Sequence, residues 1–281
     1  MMVQTAAESE AHFVLTMAEH LEFCGQLARA FGNAEFQPLD PYGETLYAVE
    51  NHDRGWDAYD ASPKFDPDTG LPYSLVRTPA EDSLKTITAS PDFAERHHPY
   101  CGILVSMHTW GLHNQRYGVS QFVVRQRTTT SITVSQAHKA EAQARLAGEL
   151  QRQERLTSLV AANSESRSWV EPSRLMQNYK QLQFFDTLGL YFHLRQEAER
   201  AEEVYIHVPK SAEADATVTL RPLGQGRYSL TPFPFAKDKF KVVCRGRYVR
   251  PFAQSQTPAD LGAALRAMPA DSQTYVLVAG G

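Results

Sequence analysis

Residues able to hold a metal ion recur along this chain in a telling order. His20 comes first, then the adjacent pair His52-Asp53 within Asn51-His52-Asp53-Arg54-Gly55-Trp56, then His97, His98 and His108, and much later Asp186. Imidazole nitrogens mixed with carboxylate oxygens suit a hard or borderline divalent ion such as iron, manganese, zinc or nickel. Neighbouring residues on a helix point about 100° apart and seldom share a ligand. An imidazole and a carboxylate side by side can still converge on one ion from the inner edge of a helix. Asp186 stands between Phe185 and Leu188 in an apolar run, where a carboxylate needs a partner. Metal ligation supplies one, and a salt bridge to an arginine such as Arg54 supplies another. The ligand set expected is His20, His52, Asp53, His108 and Asp186. The plainer alternatives are a cap for the His-Asp pair and hydrogen-bonded core histidines for His20 and His108.

Other polar residues carry weaker signals. His97 and His98 precede Pro99 and read as caps at a helix entrance. His113 follows His108 by five residues, a poor spacing for sharing one ion from one helix. His12, His138, His193 and His207 read as surface or local contacts. Asp57 and Asp60 either orient ligand imidazoles or cap the next turn. Arg54, Lys64 and Arg125 are cations for an anionic substrate or for plain solvation, the latter preferred for Arg125.

The elements that must position these groups are mostly helical. Apolar residues from Phe13 to Phe31 recur at helical spacing, which predicts a helix over residues 6–31 with His20 on its inward edge. A second helix is expected over 43–59, carrying the His-Asp pair. Residues 60–79, rich in proline, read as a loop, and Asp66-Pro67-Asp68-Thr69-Gly70 within it as a plain turn. Helical character returns over 80–89 and 91–97. The segment after Pro99 is apolar nearly all round and predicts a buried central helix around His108. Residues 119–134 are β-prone. Residues 136–162 predict a long exposed helix, and 173–201 another, with Asp186 inside its apolar body. After Glu203 short strand-like runs alternate with Pro and Gly. The expected architecture is mainly α: a helical bundle over residues 1–202, with a small antiparallel β portion over 203–281 packed on it.

Composition bounds the rest. The 281 residues carry a net charge of −4 and three widely spaced cysteines, Cys24, Cys101 and Cys244. No disulfide framework is implied, and nothing pulls the chain toward nucleic acid or a membrane. The Lys237–Arg250 region is basic and interleaved with aromatics, but alternation in any half-buried sheet produces that pattern too. No apolar stretch reaches membrane-spanning length, and the first ten residues do not read as a secretory signal. A cytoplasmic protein is the expectation.

Several stretches resemble an uncharacterised bacterial family, a domain of unknown function. They are His52-Asp53-Arg54-Gly55-Trp56-Asp57; Pro63 with Phe65 to Pro72; Tyr100 to Leu112 around Ser106-Met107-His108; Leu182 to Asp186; and Pro232-Phe233-Pro234-Phe235. More remotely, the chain is similar to the HD superfamily of metal-dependent phosphohydrolases, whose His … His-Asp … Asp order falls on His20, His52, Asp53 and Asp186. That resemblance implies a helical bundle, with His108 and His98 as the extra histidines of two-metal members. Trp56 stands where many phosphohydrolases carry a lysine. A minority branch uses a similar histidine-rich pattern to hold two irons and activate oxygen.

The function expected from these readings is metal-dependent hydrolysis of a phosphoester or other small anionic substrate. Metal-activated water would be the nucleophile. Arg54 and Lys64 would neutralise substrate charge, Asp57 would support the imidazoles, and Trp56 would wall the pocket. A non-haem diiron oxygenase keeps the ligands and changes the chemistry. A non-catalytic binding protein uses neither, and a homo-oligomer is compatible with each reading.

Overall fold

The computed structural model describes residues 1–7, 10–114, 136–253 and 258–280. The β-prone stretch 119–134, with Arg125, lies outside the described residues. Two short strands come first, β1 (Met2–Val3) and β2 (His12–Leu15), and helix α1 (Met17–Ala30) begins only after them. Its start is set by Thr16. The Thr16 hydroxyl accepts the Glu19 N–H, and the Glu19 carboxylate accepts the Thr16 N–H, a capping box. Helix α2 (Tyr42–Asn51) stops at His52 instead of running on to residue 59. A 3-10 turn over Arg54–Trp56 and the short helix α3 (Asp57–Ala61) follow. Strands β3 (Phe65–Asp66) and β4 (Leu71–Pro72) form a small hairpin around Pro67–Gly70.

Helix α4 (Ala80–His97) runs through Pro91 without a break. Helix α5 (Pro99–His113) starts on His98, whose Nδ1 accepts the Tyr100 N–H at 3.1 Å. Helix α6 (Gln136–Ala162) packs on both. It was expected to be exposed, yet Leu146, Glu149, Leu156 and Val160 are buried along one edge. The charged and polar residues between them, Gln151 to Arg155 above all, conceal that narrow stripe in the sequence. Helix α7 (Pro172–Leu194) is buried from Gln177 onward except at Lys180, and ends at Leu194, short of residue 201. It touches α1, α2, α5 and the sheet.

The strands after residue 202 are β5 (Glu203–Pro209), β6 (Asp215–Gly224), β7 (Arg227–Thr231), β8 (Lys239–Val249) and β9 (Asp271–Ala279), with helix α8 (Leu261–Ala267) before the last. They join β1 and β2 in one seven-stranded sheet of order β1-β2-β8-β9-β7-β6-β5. β7 and β9 run parallel, and the other neighbours run antiparallel. The expected helical bundle of HD type with a small antiparallel appendage is therefore wrong: the sheet is large and mixed, and it recruits both ends of the described chain. The physical reason is local. β2 has four residues, of which Phe13, Val14 and Leu15 are all buried, so it shows no alternation. Its partners, Arg247 to Val249 on β8, lie at the far end of the sequence.

Helices and sheet share one hydrophobic core. Phe23 of α1, Phe192 of α7 and Tyr205, Tyr228 and Tyr275 of the strands all belong to it. Buried Arg200 is held there by neutral groups: it donates to the Tyr228 hydroxyl at 2.7 Å, the Phe192 carbonyl at 2.9 Å and the Tyr275 hydroxyl at 3.2 Å. These contacts tie the end of α7 to the inner face of the sheet.

Candidate metal centre

α1, α2, α5 and α7 each bring one residue of the expected set to a common point, and the turn after α2 brings the fifth. His20, His52 and His108 have no solvent exposure at the side chain, Asp186 has 5% and Asp53 has 13%. Asp186 stands in the middle. Its Oδ1 lies 2.9 Å from His20 Nε2 and 3.7 Å from His52 Nε2, and its Oδ2 lies 3.8 Å from His108 Nε2. Asp53 closes the ring, with Oδ2 3.9 Å from His52 Nε2 and Oδ1 4.0 Å from His108 Nε2.

These separations have a physical meaning. Most exceed hydrogen-bond length. Two donors each about 2.1 Å from one ion lie roughly 3.0 Å apart at a right angle and at most about 4.2 Å apart. The spacings of 3.7–4.0 Å fall in that window, and the 2.9 Å between His20 and Asp186 lies at its lower edge. His52 carries the clearest sign of a missing partner. Its Nδ1–H donates to the Val49 carbonyl at 2.8 Å, which in the neutral imidazole leaves the lone pair on Nε2. That Nε2 is buried with no partner at hydrogen-bond distance; its nearest groups are the Asp186 and Asp53 carboxylates at 3.7 and 3.9 Å, a spacing a metal between them would satisfy.

The end of α2 explains how adjacent residues share one centre. His52 is the helix C-cap, and Asp53 leaves helical geometry at φ −117° and ψ 23°. The two side chains therefore escape the 100° divergence of a continuous helix. The 3-10 turn that follows is pressed against α4. Gly55 N–H donates to Ser90 Oγ at 2.9 Å, and a Cβ at Gly55 would stand 2.8 Å from the Ser90 backbone nitrogen. Only glycine allows that approach.

Cys24 and His193 belong to the same cluster, although in the sequence Cys24 is one of three scattered cysteines and His193 reads as a surface or local contact. Cys24 Sγ is 3.5 Å from His20 Nε2, and His193 Nδ1 is 3.0 Å from His20 Nδ1. Both are fully buried. The available signal was spacing: Cys24 follows His20 by one turn, and Asp186, Gly189 and His193 step along one face of α7.

Charge follows geometry. Burial opposes protonation of His52, but the nearby Asp186 and then Asp53 overcome it and lift the imidazole to about 9. Burial works against the Asp186 carboxylate as well, yet His20 and His52 hold it far below the ordinary range. His193 is pushed down by burial, by His20 and by Arg200. The raised His52 stabilises the metal-free fold fully below its unfolded value near 6.5, and that contribution disappears as pH rises through about 9. Thermal unfolding of the metal-free protein is thus expected to show a midpoint that falls between pH 6.5 and 9. A flat profile over that window would contradict the His52–Asp186 pairing.

The residues assigned to substrate sit differently. Arg54 pairs with Asp57 at 3.1 Å and lies over the Phe93 ring. Lys64 is engaged by Glu81 at 3.0 Å and Asp82 at 2.5 Å. Asp60 accepts the Met17 N–H. Trp56 is 6% exposed and packs edge-on against Tyr59. The proposed partnership of Asp186 with Arg54 is replaced by its imidazoles.

The chain belongs to a family described as a protein of unknown function, DUF3891, whose profile matches residues 1–251. No curated protein and no solved structure matches it. Among the described residues no helix is long and apolar enough to cross a membrane.

Proposed function

We propose that the cluster is a divalent metal centre and that the protein is a metal-dependent hydrolase of a small anionic substrate, a phosphoester foremost. The observation that carries this reading is the buried Nε2 of His52, with no group at hydrogen-bond distance, facing carboxylate oxygens at ligand-to-ligand spacing. His20, His52, Asp53, His108 and Asp186 would hold the ion or ions. A bound divalent ion supplies a Lewis acid that brings the pKa of water toward neutrality. Val49 fixes the His52 tautomer through its carbonyl. Asp53, the most exposed of the five, marks the side from which substrate and water would enter. The similarity to the HD superfamily concerns the order of these ligands and not the fold.

A second reading, an iron centre that activates oxygen, is favoured by one observation. The two cations expected to meet a substrate anion, Arg54 and Lys64, are already engaged by carboxylates. Elemental analysis of protein purified without chelator, beside a His52→Ala/Asp53→Ala double variant, separates the readings. Zinc, manganese or nickel bound by wild type and clearly lowered in the variant is the expected result. Iron with oxygen-dependent turnover would move the assignment to the second reading. A wild-type protein that takes up no metal after reconstitution would end both.

A further inference from the structure

The cluster divides into two trios of unlike chemistry. His52, Asp53 and His108 form one, and His20, Cys24 and Asp186 the other, with the donor atoms of each trio within 4.8 Å of one another. The first offers only nitrogen and oxygen. The second adds sulfur. Within it, His20 Nε2 lies 2.9 Å from Asp186 Oδ1 and 3.5 Å from Cys24 Sγ. With metal–nitrogen and metal–oxygen bonds of about 2.1 Å and a metal–sulfur bond of about 2.3 Å, both spacings suit donors sharing one ion. A thiolate there would bias the position toward a softer ion than its neighbour would take.

We infer that His20 Nε2, Cys24 Sγ and Asp186 Oδ1 form a second metal position, selective for a thiophilic divalent ion and joined to the first through the Asp186 carboxylate. The inference rests on the metal-centre reading above. Three features of the fold support it. Asp186 spans the two trios: its Oδ1 lies 2.9 Å from His20 Nε2 and 3.7 Å from His52 Nε2, and its Oδ2 lies 3.8 Å from His108 Nε2. His193 lies behind His20 with Nδ1 at 3.0 Å from His20 Nδ1, where it would accept that proton and turn the Nε2 lone pair toward Cys24 and Asp186. Gly189 makes room for the arrangement, since a Cβ there would stand 3.0 Å from His20 Cε1 and 3.2 Å from Cys24 Sγ. Formation of the position needs no redox step. The ion takes the place of the Cys24 thiol proton, which passes to solvent.

Cobalt(II) added alone to metal-free protein tests this. Wild type is expected to bind a second ion per chain and to show thiolate-to-cobalt charge-transfer absorption in the near ultraviolet. Cys24→Ser is expected to lose that absorption and half of the bound cobalt. The His52→Ala/Asp53→Ala variant is expected to keep the absorption with half the cobalt. X-ray absorption of the zinc-loaded wild type gives a check that needs no variant: a sulfur scatterer in the shell supports the assignment. Cobalt bound without the charge-transfer band, or a zinc shell of nitrogen and oxygen only, overturns this inference and leaves the metal centre standing. A wild-type protein that binds no cobalt overturns both.

Discussion

Replacing Asp186 with alanine is expected to cost the metal-free protein about 3–5 kcal/mol, the range for breaking a buried charged pair, and to abolish metal uptake. One carboxylate serves three buried imidazoles, at 2.9 Å from His20, 3.7 Å from His52 and 3.8 Å from His108. Its removal leaves a charged or polar cluster in the middle of four helices with no equivalent acceptor for His20. Asp186→Asn keeps the shape and one oxygen but discards the charge, so its loss should be smaller. The alanine variant should suffer more at pH 6 than at pH 9, because His52 is cationic at the lower value and its lift to about 9 depends on Asp186. Urea unfolding at both pH values, with metal uptake measured beside it, checks the prediction. Less than about 1 kcal/mol lost, with uptake intact, would show that Asp186 is an ordinary core residue.

Gly55→Ala is expected to reach the centre without touching it. The new Cβ would stand 2.7 Å from Ser90 Oγ and 2.8 Å from the Ser90 nitrogen, so the turn must move off α4. Overpacking of this kind costs about 1–3 kcal/mol. The turn carries Asp53 at its start, so metal affinity should fall about 10–100-fold, as when a supporting residue of a metal site is lost. Gly43→Ala is the control, since a Cβ there meets nothing within 4 Å. It should leave affinity unchanged and stabilise α2 slightly. Titration with a competing chelator reads both variants. Equal affinity in Gly55→Ala and wild type would detach the turn from the centre.

The candidate ligands were legible because histidine and aspartate in apolar surroundings demand partners, and that demand survives errors about the elements carrying them. His52-Asp53 was placed within a continuous helix, where its convergence was awkward; the break at His52 resolves the difficulty. Asp186 inside an apolar run was a sound signal because burial of its neighbours follows from their type. Cys24 and His193 were passed over because each is commonplace by itself, and only their proximity to His20 gives them meaning. The strands after residue 202 were legible as short runs, but the joining of β1 and β2 to them was not, for a different reason. Register between His12–Val14 and Arg247–Val249 is a long-range fact, and four residues carry too little pattern to announce it. Helix α6 is largely exposed, as its composition suggests, and only its narrow buried edge was hidden, diluted by charged and polar residues.

The pairing of β2 with β8 also bears on when the molecule can finish folding. β2 ends at Leu15, and α1 with His20 starts at Met17, so the helix is anchored by a strand whose partner comes from residues 247–249. Contacts this distant in sequence are slow to form, because chain closure comes before any reward. α2, α5 and α7 can associate earlier, which places His52, His108 and Asp186 together before His20 is locked. Pulse-labelled hydrogen exchange during refolding should accordingly show α1 protected after α5 and α7; simultaneous protection would remove this order. A nascent chain would thus carry a half-built centre until residues 247–249 have left the ribosome, and metal loading would follow that point.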